Sequence, residues 1–214
     1  MQVLANANGR EILLSMVAGI QKNKQYLGEI DGLIGDGDHG MNMNKGFSMY
    51  AAQLGESETS FSDGLFDLGT VLLGKIGGSM GPIYGTLFMG IAEDAEGREH
   101  IDLPLFTQML EAGIRVLYEI VDARPGDKTL ADTLAPALEA LKAAEDAGKD
   151  FRAALEDMVA GAKFGMESTK DMVAKYGRSA RLGERSRGVL DAGAVSCCII
   201  LSSMAAGMLK ELEG

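Results

Sequence analysis

The 214-residue sequence has no tryptophan, two cysteines and four prolines. The cysteines, Cys197 and Cys198, are adjacent, and neighbouring residues do not reach disulfide geometry without backbone strain. No third cysteine exists to complete a disulfide framework or a thiolate metal site. The pair therefore reads as small core residues in a reducing compartment. No stretch reads as apolar over the roughly 18 residues that a membrane span needs. Positions 1–10 lack a basic region followed by an apolar one, so neither a signal peptide nor a membrane partner is expected. The expected location is cytoplasmic. Positive charge is scarce as well: 20 lysines and arginines face 31 acidic residues, a net charge of −11. Such a surface repels nucleic-acid backbones and anionic lipid, which excludes both as expected partners. An acidic protein that holds an anionic ligand needs local cations, which points towards metal.

Alanine, leucine, methionine and glycine dominate, few runs are β-branched, and apolar residues recur at helical spacing along most of the chain. A first helix is expected over 10–28 and a second over 40–54. Ser60, Ser62 and Asp63 can cap a third that runs to 76, and the turn 77–82 leads into a fourth that ends near 94. Asp102 caps a fifth, with Pro104 in its first turn where a missing N–H costs little, and Pro125–Gly126 breaks it. A sixth is expected over 129–147 with a kink at Pro136, a seventh over 151–176 and an eighth over 190–212. No strand pair stands out. The expected fold is all-α, about eight helices joined by short loops in one domain spanning 1–214.

Much of the glycine (29 residues) falls in four connections: 32–40, 74–85, 126 and 183–193. Glycine weakens helices but lets backbone approach a ligand closely. In a bundle of antiparallel neighbours, alternate connections lie at the same end. The connections after helices one, three, five and seven are the glycine-rich four, so the site is expected where they meet.

The first of these connections carries Asp31, Asp36 and Asp38, followed by His39, Asn42 and Asn44. Three carboxylates within eight residues repel one another unless a cation joins them, and magnesium takes carboxylates together with waters and phosphates. An EF-hand loop starting at Asp36 would need Gly at 41 and Glu at 47, and Met41 and Phe47 exclude it. A plain cluster of helix N-caps is the structural alternative. Gly69 to Lys75 comes near a P-loop, but Ile76 stands where a magnesium-binding Ser or Thr is needed. Gly77-Gly78-Ser79-Met80-Gly81 is a better phosphate cradle, since small residues before a helix leave N–H groups free. Asp127-Lys128-Thr129 offers a charge pair and a cap, or a turn that closes helix five. Arg178, Arg181, Arg185 and Arg187 concentrate forks that suit phosphate, with Glu184 and Asp191 as partners for those not facing ligand. His100, in a charged stretch, reads as incidental.

The run Asp31-(x4)-Asp36-Gly37-Asp38-His39-Gly40-Met41-Asn42-Met43-Asn44 resembles the signature of the L subunits of bacterial dihydroxyacetone kinases. So do Gly77 to Thr86, Gly126-Asp127-Lys128-Thr129 and Gly183-Glu184-Arg185-Ser186, in order and at family spacing across essentially the whole chain. The resemblance implies an eight-helix antiparallel barrel with ADP or ATP capping one end. It implies that Asp31, Asp36 and Asp38 bind two magnesium ions, and that His39, Gly40, Met41, Asn42, Gly78 and Ser79 cradle the phosphates. Leu130, Arg178, Asp191, Ala192 and Gly193 would bound the rest of the nucleotide. The implied partner is a separate K subunit that holds the ketose, without which this chain is catalytically incomplete.

Two departures from the family pattern, Gly37 where alanine is frequent and Ala192 where proline is, remove no ligand. The phosphoryl donor stays open between a phosphotransferase-system protein that recharges bound nucleotide and freely exchanging ATP. The free-standing L subunit and His39 favour the former. Kinases of erythrulose or a similar ketose, a nucleotide-carrying signalling module and a metal-dependent hydrolase with His39 as base are the competing readings. A homodimer also remains open.

Overall fold

The computed structural model describes residues 2–212. Eight α-helices run through them: α1 Gly9–Ile34, α2 His39–Leu54, α3 Phe61–Lys75, α4 Met80–Glu93, α5 Leu103–Ile120, α6 Ala131–Asp146, α7 Phe151–Ser168 and α8 Ala192–Glu211. Each packs on the next and α8 packs on α1, which closes the ring. One apolar core extends from Leu4 to Met208, with rings such as Phe47 and Phe88 meeting edge to face at 6.3 Å. Four of the eight helix starts follow capping chemistry. Side chains of Ser60, Asp102, Asp150 and Asp191 each accept an N–H three residues on, the bonds that first-turn amides need.

Several expectations need correction. A strand pair does exist: β1 Leu4–Ala5 lies antiparallel to β2 His100–Ile101. Two residues leave no room for alternation, so no pattern marks it. Buried Asn6 extends that junction, donating from Nδ2 to the Ser62 hydroxyl and the carbonyls of Ala95 and Arg98. Helix α1 continues past Gly28 to Ile34, because the returning loop folds back over α1 there, with Gly37 against Gly28 and Gly32. Helix α7 stops at Ser168 and tightens into a 3₁₀ turn, Thr169–Asp171. The Thr169 carbonyl is taken there by the Lys128 ammonium and the Met172 N–H, so the α pattern does not propagate. A second 3₁₀ segment covers Ser179–Ser186. As expected, Pro136 lies inside α6, and the rejected near-P-loop at 69–75 lies within α3. Finally, α8 is long and apolar enough to cross a membrane, with a window of mean hydropathy 1.9, although 67% of that window is buried inside the molecule. Its hydrophobicity is that of a core helix seated against α1 and α7.

Candidate functional site

The four glycine-rich connections meet around one cavity of about 430 Å³. The first contributes Asp31, Asp36, Asp38 and His39, and the second contributes Ser79, Ile83 and Tyr84. Val121 to Ala123 and Lys128 to Leu130 come from the third, Tyr176 to Ser179 and Asp191 to Gly193 from the fourth.

Asp31 sits in the last turn of α1, and Asp36 and Asp38 flank Gly37, whose φ of +76° turns the chain back on itself. One oxygen from each carboxylate lies within 4.8 Å of the others. Asp38 occupies the N-cap position of α2 yet its side chain makes no capping bond. The first-turn amide of His39 is met instead by Asp31 Oδ2 at 3.3 Å. The carboxylate of Asp38 is therefore not consumed by capping, which tells against a cluster of ordinary N-caps. Three hard oxygen donors converging from one loop fit the ligand preference of magnesium. Arg178 reaches across from the fourth connection and pairs with Asp36.

Behind the aspartates lies a neutral hydrogen-bonded layer. His39 is buried, and burial lowers its pKa to about 4 despite the neighbouring Asp38. Its Nε2 is 2.8 Å from the Ser196 hydroxyl, which is 2.6 Å from the hydroxyl of Tyr84. Tyr84 also donates to the Gly193 carbonyl at 3.0 Å, and burial pushes its own pKa up. His39 thus anchors the start of α2 to α8 as an uncharged ring. On the far wall, burial raises the Asp191 carboxyl to about 6, although it caps α8 and lies near Lys128.

The structure separates some residues that the motifs grouped. Gly40 faces α1: a Cβ there would stand 1.9 Å from the Lys24 carbonyl oxygen, so it serves helix packing. Met41 is 63% exposed, and it, Asn42 and Gly78 lie off the cavity wall, while Ser79, Leu130, Arg178, Asp191, Ala192 and Gly193 are on it. Asp127 does not pair with Lys128. It binds Lys175 at 2.6 Å, and that bond, with the Arg124 amide, holds its pKa down. Among the other arginines, Arg187 pairs with Glu184 at 3.0 Å, while Arg181 and Arg185 are exposed. Tyr84, Ser196, Tyr176 and the turn Val121 to Ala123 join the site without having been expected there: Tyr84 lies within the glycine-rich connection 74–85 but is an aromatic side chain, and the others lie outside the four glycine-rich runs.

The DAK2 domain family matches residues 33–206. The PEP-dependent dihydroxyacetone kinase 2, ADP-binding subunit DhaL, of Listeria innocua is 36% identical, covering 98% of this chain and 98% of that protein. The PTS-dependent dihydroxyacetone kinase, ADP-binding subunit DhaL, of Lactococcus lactis is 35% identical, covering 86% of this chain and 88% of that one. The crystal structure of the dihydroxyacetone kinase from C. freundii in complex with AMP-PNP and Mg2+ superposes with a TM-score of 0.70 at 22% identity. That match covers 96% of this chain and 35% of the larger kinase, and it bears on the fold. An all-helical ring, an acidic loop at one end and these relatives agree: the chain belongs to the DAK2 domain family, with the ADP-binding subunits of bacterial dihydroxyacetone kinases as its relatives.

Proposed function

We propose that this chain, acting as one domain over 1–214, is the nucleotide- and magnesium-binding subunit of a dihydroxyacetone-type kinase. It passes a phosphoryl group from bound nucleotide to a short ketose held on a separate K subunit, and a phosphotransferase-system protein recharges the nucleotide. The observation that carries this is the convergence of Asp31, Asp36 and Asp38 within 4.8 Å beside a cavity walled by four connections. Bound magnesium, two ions in this proposal, supplies charge neutralisation for polyphosphate. The chain's own residues position the nucleotide. Asp31, Asp36 and Asp38 hold the ions, and Ser79 and Arg178, both on the cavity wall, face the phosphate side. Leu130 and the Asp191-Ala192-Gly193 turn bound the remainder of the nucleotide.

The names of the Listeria and Lactococcus relatives, which join an ADP-binding subunit to PEP- or PTS-dependence, support the recharging route. Calorimetry of Mg–ADP against the wild type, Asp36→Ala and Asp38→Ala tests the site. Both variants should lose metal-dependent nucleotide binding while circular dichroism stays unchanged; normal binding in both sinks the proposal. Mixing the pure chain with a K subunit, ketose and a phosphotransferase donor tests the reaction. Sugar phosphate should form only in the complete mixture, whereas a signalling module gives none and a hydrolase releases phosphate without acceptor.

A further inference from the structure

Between Met172 and Leu190, after α7 and before α8, only Ala174 and Ser186 are buried. The same segment nevertheless supplies Tyr176, Gly177, Arg178 and Ser179 to the cavity wall. A stretch with so little apolar burial opens readily unless polar contacts hold it. Some tie single points, such as Lys175 to Asp127, the Gly188 N–H to the Lys170 carbonyl and Arg178 to Asp36, but the largest group converges on Lys128. This lysine is 1% exposed, and its Nζ donates to the carbonyls of Thr169 at 2.8 Å, Met172 at 3.2 Å, Ser186 at 2.7 Å and Val189 at 2.5 Å. An ammonium has three N–H groups, so four acceptors saturate it with one bond shared. All four are backbone carbonyls from the entry and exit of the segment. Lys128 also adopts a φ of 62°, the one positive value at a non-glycine position among the described residues. Such a conformation persists only where surrounding contacts over-determine it.

We propose that Lys128 is a positioning residue: its buried ammonium ties both ends of segment 172–190 to the α5–α6 connection and so sets Tyr176 to Ser179 against the nucleotide. The inference rests on the nucleotide-binding proposal above. Lys128 lines the cavity, but its ammonium is directed to the four carbonyls. Its charge is spent on carbonyl dipoles, while its chain neighbours Thr129 and Leu130 form the adjoining wall.

Hydrogen exchange read by mass spectrometry on the full chain tests the tether, with wild type, Lys128→Met and Lys128→Gly compared. Glycine removes the ammonium and relieves the positive φ, so it separates loss of the tether from backbone strain. Peptides within 172–190 should exchange about tenfold faster or more in both variants, with peptides of α1 to α5 near the wild-type rate. Mg–ADP should dissociate about tenfold faster from both variants, while Mn2+ alone binds the aspartates no more weakly than in wild type, since loosening the segment only frees Asp36 from Arg178. A purely structural lysine would shift both ligands together. Unchanged exchange in 172–190, or acceleration throughout the chain in both variants, overturns the tether. Unaltered ADP release from a loosened segment overturns the positioning role. If wild type itself holds no Mg–ADP, the nucleotide proposal fails, and the exchange rates still decide the tether.

Discussion

His39 and Ser196 join the first turn of α2 to α8 through a 2.8 Å contact between Nε2 and the hydroxyl oxygen. Ser196 is fully buried and also meets Tyr84. Ser196→Ala leaves the buried imidazole without that partner, whereas Tyr84 retains the Gly193 carbonyl. Leaving one buried polar group unsatisfied costs roughly 1–3 kcal/mol. Urea unfolding should report a loss in that range with an unchanged m-value.

Asp38 heads α2 without capping it, whereas Asp150 caps α7 by accepting the Ala153 N–H at 2.8 Å. Without metal, Asp38→Ala should therefore shift stability by no more than about 0.5 kcal/mol, as at other surface positions. Asp150→Ala should cost about 1 kcal/mol, the usual loss of an N-cap. Thermal melts in chelator check both, and titration with Mg2+ should restore a difference between wild type and Asp38→Ala alone.

Two glycines separate packing from propensity. A Cβ at Gly40 would meet the Lys24 carbonyl, while one at Gly74, inside α3, meets nothing within 4 Å. Gly40→Ala should destabilise by about 1–3 kcal/mol through overpacking, and push the head of α2 away from α1. Gly74→Ala should stabilise by roughly 0.5–1 kcal/mol, since alanine loses less backbone entropy in a helix. Chemical denaturation of the two variants gives opposite signs.

Asp191 carries a pH signature. Burial raises its pKa from the ordinary 3.8 to about 6, so between these values the folded state binds the proton more tightly than the unfolded chain. Wild type therefore loses stability relative to Asp191→Asn as pH rises through that window. The two proteins should be nearly equal at the acid end, and the asparagine variant should be more stable by up to about 3 kcal/mol at neutral pH. Paired melts across the range, without ligand, read the difference directly.

The helices were legible because their signals are local. Apolar spacing and the capping of α3 and α5 lie within a few residues of what they control, whereas α5 ends at Ile120, before the expected break at Pro125–Gly126. Convergence of alternate connections followed from antiparallel packing, and it brought Asp31, Asp36, Asp38 and Arg178 to one cavity. What stayed hidden depends on distant partners. The end of α7 is governed by Lys128, which is 41 residues away from Thr169 in sequence. Carbonyl acceptors carry no residue-type signature, so nothing distinguishes such a lysine from a surface one. The same holds for Ser196, an ordinary small residue in an apolar helix until His39 and Tyr84 are brought to it.

Because the ring shuts between α1 and α8, the order of helices is a choice of where the circle is opened. The side chains of Asn8 and Glu211 touch at 3.0 Å and α8 also packs on β1, so a linker from the end of α8 to the start of β1 could close the circle with Leu4 and Asn6 kept. New ends placed at Gly148, an exposed turn between α6 and α7, would leave every cavity-forming connection covalently whole. Such a permuted chain should assemble the same acidic mouth from a different first residue.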